Sequence, residues 1–147
     1  MSLNESTVEA AALDWLGELG YATAHGPQLA PGEPAAERDS FGEVVLVARL
    51  RDAIQRINLN IPPEAREDAL SKVLRVATPS LVGTNRMFHA MLRDGVPVEY
   101  QRKDGSIAGD AVRLVDFSAV DANAWLAINH SPSWRVRSIG GRTWPFS

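Results

Sequence analysis

Apolar side chains recur every three to four positions along the first 20 residues, which is the spacing of one face of an α-helix. Asn4 or Ser6 can cap this helix at its start, and Gly20 can end it. The pattern predicts an amphipathic helix that lies against another element, with its apolar stripe at Val8, Ala12, Trp15, Leu16 and Leu19.

The following residues form a loop and then a region of helical spacing. The stretch 26–39 contains three Pro and two Gly and has no regular period, which predicts a long loop over the surface. Helical spacing returns over 40–77, and Pro62 and Pro63 within it suit the first positions of a new helix. A further helix is expected over 79–95, so the sequence predicts three helices in series.

After residue 95 the apolar positions alternate with a period of two, which is typical of strands. Residues 96–101 and Ala111–Phe117 alternate on either side of a turn at Lys103–Gly105, which predicts a β-hairpin. Ala124–Ile128 is almost wholly apolar and is expected to be a central strand buried on both faces, and Tyr21–Ala24 is another candidate strand. The predicted fold class is α+β, with a helix-rich layer packed on a short, mostly antiparallel sheet.

Composition limits the classes of protein that the chain can represent. Its 147 residues suit one globular domain, and the absence of Cys excludes disulfides, a thiolate zinc site and a cysteine nucleophile. A net charge of −3 gives no global positive field for nucleic acid, so DNA contacts would be local. No apolar run approaches the roughly 20 residues that span a bilayer, and the acidic amino end does not resemble a secretory signal. We expect a cytoplasmic protein.

Residues 131–147 differ in character from the rest of the chain. They contain two Trp and three Arg but no acidic residue, and they show neither strand nor helix periodicity. A basic segment with aromatic side chains can grip single-stranded nucleic acid. The alternative is a tail without a binding function, because 17 residues without a scaffold offer no preorganised surface. The sequence therefore divides into a domain over 1–130 and a divergent tail over 131–147.

Five blocks of the sequence follow one another in a recognisable order, and their most specific pieces are Gly32–Pro34 with Ala36–Arg38, and the motif GVPVEY at Gly95–Tyr100. In this order the blocks resemble the amino-terminal segment of the R (restriction and motor) subunit of type I restriction-modification enzymes. The resemblance covers roughly residues 4–130. It implies the first part of a restriction-endonuclease-like domain, which in the family leads into a PD-(D/E)xK nuclease core and then into ATP-driven motor domains.

The resemblance also shows what this sequence lacks. In the family, an Asp on one strand and a Glu and Lys on the next follow the apolar strand that corresponds here to Ala124–Ile128, and the carboxylates hold a divalent metal. This chain has no Lys after Lys103 and no acidic residue after Asp121. The catalytic trio and the motor are therefore absent from the sequence, and no catalytic residue is assigned.

The genetic code permits an explanation of the tail. Allowed codons for residues 131–147, shifted by one base near His130, can encode FTVVEGAKHRRPDVALF, which contains the VVEG and RRPD pieces that the family carries at this point. We infer that the tail is an out-of-frame product of a gene that has lost one base, with a chance fit of the codons as the alternative.

Two residues are candidates for functional sites. In many PD-(D/E)xK folds a glutamate on an early helix lies beside the metal, so Glu9 is a candidate remnant ligand. The alternative is that Glu9, like Glu5, only stabilises the positive end of the helix dipole. Arg38 in the long loop is a candidate contact to a DNA phosphate, and the alternative is an Arg–Glu pair that pins the loop, with Glu33 or Glu37 as partner.

The predicted function follows from the resemblance. The chain is expected to be a truncated R-subunit fragment whose parent enzyme cleaves unmodified DNA with Mg²⁺ and ATP, whereas the chain itself binds no cofactor and is catalytically inactive. Its expected partners are the modification and specificity subunits, with weak DNA binding and no membrane. The alternative is a non-catalytic module that docks on the modification complex. Because Ala124–Ile128 would leave an unpaired sheet edge, we also expect a homodimer.

Overall fold

A computed structural model describes residues 4–40, 43, 45–76 and 81–129. In these ranges the chain forms four α-helices and four strands, together with single 3₁₀ turns at Gly26–Leu29 and Val120–Ala122. In chain order the elements are α1 (Glu5–Glu18), β1 (Ala22–Ala24), α2 (Val47–Ile57), α3 (Pro63–Leu74), α4 (Leu81–Asp94), β2 (Val96–Gln101), β3 (Ile107–Val112) and β4 (Leu126–Ile128). The predicted α+β class is confirmed.

Short-range signals set most of the helix boundaries, as the sequence predicts. The Asn4 side chain accepts a hydrogen bond from the Thr7 backbone N–H at 2.9 Å and caps α1. Gly20, with φ of 92°, follows the end of α1, and Pro62 immediately precedes α3. Gly95 adopts φ of 84° between α4 and β2, a conformation that glycine accepts without steric cost. The predicted start of α4 at Pro79 or Ser80 lies outside the described residues.

The main hydrophobic core lies between the helices and the β2–β3 hairpin. β2 and β3 pair antiparallel, and α3 packs on the hairpin face that carries Val96, Val98 and Val112. α2 packs on α3 and contributes Ile54, which is almost completely buried. The predicted packing of helices on a hairpin is confirmed. The buried residues of this cluster are Ile54, Ile61, Ala65, Ala69, Leu70, Val73, Val96, Val98, Val112 and Leu114.

A second, smaller sheet joins the two ends of the described chain. β1 pairs in parallel with β4, in the register Ala22 to Leu126 and Ala24 to Ile128. α1 contacts both strands, yet no residue of α1 is buried. The prediction of a central strand at 124–128 that is buried on both faces is wrong. β4 has only one described neighbour and three residues, and Ile128 is 42% exposed.

Two other boundaries differ from the sequence-based prediction. The second hairpin strand is Ile107–Val112 and not 111–117. The hairpin turn is tight, so the return strand begins two residues after Gly105. Residues 113–117 instead form a hydrogen-bonded loop. α2 begins at Val47 and not near residue 40. Most strand pairing is antiparallel, as predicted, but the strands divide between two separate two-stranded sheets.

Candidate functional site

Glu9, the candidate metal ligand, lies in the second turn of α1 and is half-buried. α1 rests against the β1–β4 sheet, so Glu9 belongs to the smaller of the two packed units. Across the part of the chain that the structure describes, no group of three or more His, Asp or Glu side chains could hold a metal ion. Glu9 therefore joins no such cluster among the described residues, and its assignment as a metal ligand stays a prediction.

Arg38, the candidate DNA contact, lies in the loop before α2. Its Nη1 donates a long hydrogen bond of 3.4 Å to the backbone carbonyl of Glu43. The Glu43 side chain in turn accepts a hydrogen bond from the Asp39 backbone N–H at 2.8 Å. These bonds join Arg38 and Asp39 to Glu43, and a phosphate contact by Arg38 stays a prediction.

An Arg–Glu pair does fasten this loop, but its arginine is not Arg38. Arg49 on α2 makes two parallel hydrogen bonds to the carboxylate of Glu37, with Nη2 at 2.7 Å from Oε1. The hydrogen bond from Arg49 is the main reason that the pKa of Glu37 is lowered from its usual value. The paired carboxylate likewise raises the pKa of Arg49. The predicted pinning interaction therefore joins the loop to a neighbouring helix.

Two further basic residues of the helices pair with acidic residues at the surface, as the alternating charges indicate. Arg51 of α2 pairs with Glu67 of α3 at 3.0 Å, and both side chains are about half exposed. Lys72 pairs with Asp68 at 2.8 Å one helical turn earlier. The Lys72 ammonium also donates to the backbone carbonyl of Pro97 at 2.7 Å and so joins α3 to β2. Such surface pairs do not form a basic groove for a nucleic acid.

A buried asparagine that sequence reasoning missed connects α2 to the end of the hairpin. Asn58 is 5% exposed, and its side-chain amide forms a pair of hydrogen bonds with the backbone of Arg113, as a residue of a neighbouring strand would. Its Nδ2 donates to the Arg113 carbonyl at 2.8 Å and to the Ile54 carbonyl at 2.9 Å, and its Oδ1 accepts from the Arg113 N–H at 2.8 Å. No periodicity reveals such a pairing, because the partners are 55 positions apart.

A second polar cluster then turns the chain towards β4. Asp116 accepts hydrogen bonds from the backbone N–H groups of Ser118 and Ala119, both at 2.9 Å. These bonds, led by the one from Ala119, lower the pKa of the Asp116 carboxyl. Asn123 clamps the same loop, since its side chain accepts from the Asp116 N–H and donates to the Asp116 carbonyl. The sequence signal for this turn is an Asp two positions before a Ser in 116–118. The alternating apolar residues of 111–117 predicted a strand there instead.

Large apolar side chains are exposed around the small sheet. Trp15 on α1 is 68% exposed, Leu19 directly after α1 is 75% exposed, and Trp125 immediately before β4 is 45% exposed. The Ala22 N–H donates to the Trp125 carbonyl at 3.0 Å, so Trp125 lies at the same end of the sheet as the start of β1. This exposed aromatic and aliphatic surface has the composition of a contact surface. Among the described helices, none has the length and apolarity needed to cross a bilayer.

The fold and these sites define a small α+β segment with an open sheet edge, exposed apolar side chains and no assembled metal site among its described residues. The sequence matches the family described as Type I restriction enzyme R protein N terminus over residues 2–132. The chain therefore belongs to that family, and the resemblance seen in its motifs is confirmed.

Two curated relatives support the same assignment. The chain is 36% identical to the type I restriction enzyme HindI endonuclease subunit of Haemophilus influenzae, over 86% of this chain. It is 32% identical, again over 86% of the chain, to the putative type I restriction enzyme MjaIXP endonuclease subunit of Methanocaldococcus jannaschii. In both comparisons the match covers 12% of the relative. No solved structure matches the chain.

Proposed function

We propose that this chain represents the start of the nuclease region of a type I R subunit and that it does not cleave DNA by itself. The parent activity is ATP-dependent cleavage of unmodified DNA, carried out with modification and specificity subunits. Membership of the R-subunit family supports this parent function. The observation that carries the proposed inactivity is the distribution of residue types, because the sequence has no Lys after Lys103 and no acidic residue after Asp121.

The acidic residues near the end of the hairpin are engaged in local structure and do not converge. Asp104 accepts hydrogen bonds from the Ser106 N–H and hydroxyl within the hairpin turn, at 2.9 and 2.6 Å. Asp116 accepts from two backbone N–H groups of its own loop and pairs with Arg113. Neither carboxylate shares a described group of metal ligands with Glu9. The Mg²⁺ and ATP chemistry of the parent enzyme is therefore assigned to parts of the R subunit other than these residues.

A cleavage assay tests this proposal. Purified chain incubated with supercoiled plasmid and Mg²⁺ is expected to leave the plasmid intact, because no Asp, Glu and Lys trio is present to bind metal and activate water. The Glu9→Ala variant is the matched control for contaminating nuclease. Metal-dependent nicking that survives repurification of the wild-type chain would contradict the proposal. Nicking that Glu9→Ala abolishes would additionally establish Glu9 as a ligand.

Weak, strongly salt-dependent DNA binding is part of the same proposal. The net charge is −3, and Arg49 and Arg51 of α2 are paired with acids, so any phosphate contacts are expected to be few and local, with Arg38 as the candidate. Fluorescence anisotropy with a duplex is expected to show dissociation constants above the micromolar range at physiological salt. Arg38→Ala is expected to weaken the residual binding, with Arg75→Ala as an exposed control. Submicromolar affinity for duplex would refute this expectation.

A non-catalytic module that docks on the modification and specificity subunits is the second candidate function. The exposed apolar side chains Trp15, Leu19 and Trp125 favour it, because large apolar side chains at a surface are typical of contact sites. The predicted homodimer is a third use of such a surface, and light scattering tests it.

A further inference from the structure

One side of α1 carries apolar side chains that no described residue covers. Val8, Ala12 and Trp15 follow one another at helical spacings of four and three, and Leu19 comes next, directly after the helix. Ala12 is exposed, Val8 and Trp15 are 57% and 68% exposed, and Leu19 is 75% exposed. These four residues form the outer stripe of α1. The stripe is about 16 Å long, because a helix rises about 1.5 Å per residue.

The outer stripe is distinct from the side of α1 that packs on the small sheet. Leu13 and Leu16 are half-buried, and a Cβ added at Gly17 would lie 3.7 Å from the Thr23 side chain of β1. These positions lie roughly a third of a turn around the helix from the outer stripe. Packing on the sheet therefore leaves the outer stripe available for another contact.

Acidic residues flank the outer stripe. α1 contains four acidic residues and no Lys or Arg, and the first Lys or Arg of the chain is Arg38. Asp14 and Glu18 are exposed and lie on the side of the stripe that is away from the sheet. Neither forms a salt bridge with a described residue. A polypeptide with both apolar side chains and positive charge would gain burial and electrostatic attraction at this surface.

We propose that the occupant of the outer stripe is the tail of the same chain, residues 131–147. The tail lies outside the described residues, and its sequence carries the complementary chemistry, with two Trp, three Arg and no acidic residue. Its aromatic side chains pack on Trp15 and Leu19, and its arginines lie beside Asp14 and Glu18. Residue types alone decide this contact, whichever reading frame produced the tail.

The end of β4 brings the tail close to α1. β4 pairs with β1, and α1 contacts both strands. Asn129 is held beside β1, since its Oδ1 accepts from the Gly26 N–H at 2.9 Å. The 17 residues of the tail can extend over roughly 55 Å, which is more than the length of the outer stripe. Tethering also gives the tail a high effective concentration at the stripe.

A second copy of the chain is a poorer occupant of the stripe. Two stripes that meet around a twofold axis would bring Asp14 and Glu18 of both copies together, and like charges across an interface repel. The tail carries the opposite charge and is attracted to the same residues. A separate protein would have to displace this tethered segment before it could use the surface.

Paramagnetic broadening of nuclear magnetic resonance signals in the full chain locates the tail. The sequence has no Cys, so Ser138→Cys introduces a single attachment site for a nitroxide. The amide signals of Trp15 and Leu19 are expected to lose more than half of their intensity, because a nitroxide broadens only nearby amides. Lys103 in the hairpin turn is expected to keep its intensity, and the same sample with the nitroxide reduced is the reference. A smaller loss at Trp15 and Leu19, or an equal loss at Lys103, overturns the proposal.

Two pairs of variants in the nitroxide-carrying chain separate the apolar and the charged contributions. Trp15→Ala is expected to restore at least half of the lost intensity at Leu19, and Leu59→Ala, at a side chain that is 78% exposed, is the matched control without effect. Glu18→Arg is expected to act in the same direction, with Asp52→Arg on α2 as the control of equal charge change. Circular dichroism establishes that the variants retain the fold. Equal behaviour of either variant and its control overturns the proposal.

A mixed sample distinguishes a contact within one chain from a contact between two. Isotope-labelled chain without a nitroxide is combined with unlabelled chain that carries the nitroxide at Ser138→Cys, so any broadening at Trp15 must come from a second copy. No broadening is expected. Broadening in the mixture would mean that the tail binds α1 of another copy, which overturns the proposal. None of these measurements involves DNA, so their failure is distinct from failure of the plasmid-cleavage test.

Discussion

Replacement of Asn58 by alanine is expected to be among the most damaging polar substitutions in the chain. The variant loses two hydrogen bonds to the Arg113 backbone and one to the Ile54 carbonyl, at distances of 2.8 to 2.9 Å. A hydrogen bond contributes about 1 kcal/mol net, and a buried group left without a partner costs about 1–3 kcal/mol. Asn58 is 5% exposed, so water replaces these partners poorly. We expect Asn58→Ala to lower the free energy of unfolding by about 2–4 kcal/mol.

Urea unfolding followed by circular dichroism measures this change. Asn60→Ala, two positions later in an exposed turn, is the matched control and is expected to change the unfolding free energy by less than about 0.5 kcal/mol. Hydrogen exchange is expected to rise first at Arg113 and in the loop that leads to β4. If Asn58→Ala and Asn60→Ala prove equally mild, the side-chain pairing of Asn58 with Arg113 is refuted, and with it the account of how α2 holds the hairpin exit.

Two further substitutions test the backbone and the acid response. Gly95→Ala is expected to lower the unfolding free energy by about 2 kcal/mol, because Gly95 has positive φ and an added Cβ would lie 3.0 Å from the Val112 carbonyl oxygen. Gly109→Ala, with no such neighbour, is the control, and equal thermal shifts would contradict the argument. The pKa of Asp116 is lower in the folded than in the unfolded protein, so the ionised carboxylate stabilises the fold at pH values above the unfolded pKa. This stabilisation is lost as the pH falls through the folded pKa. Asp116→Asn is therefore expected to show a smaller loss of stability than wild type below about pH 4, and parallel pH profiles would contradict this.

The sequence by itself determined the elements whose boundaries depend on near neighbours. The Asn4 cap, the Pro62–Pro63 helix start and the Gly95 stop act within a few residues, so their chemistry is visible in the sequence. The hairpin turn at 103–105 is equally local. The motifs Gly32–Pro34 and GVPVEY likewise identified the family that the comparison confirmed. Of the candidate site, the sequence supplied only the residue types, because a metal or phosphate site depends on which side chains meet.

Only the tertiary structure decided the contacts between distant parts of the chain. β1 and β4 are three residues long, and a three-residue strand is too short for its pattern to specify a partner about 100 positions away or a parallel register. Glu37 finds Arg49 and not Arg38, and Asn58 finds Arg113, for the same reason. The apolar composition of 124–128 indicated burial, but burial requires neighbours on both faces. The structure gives β4 one strand neighbour among the described residues, and Ile128 at its end is exposed.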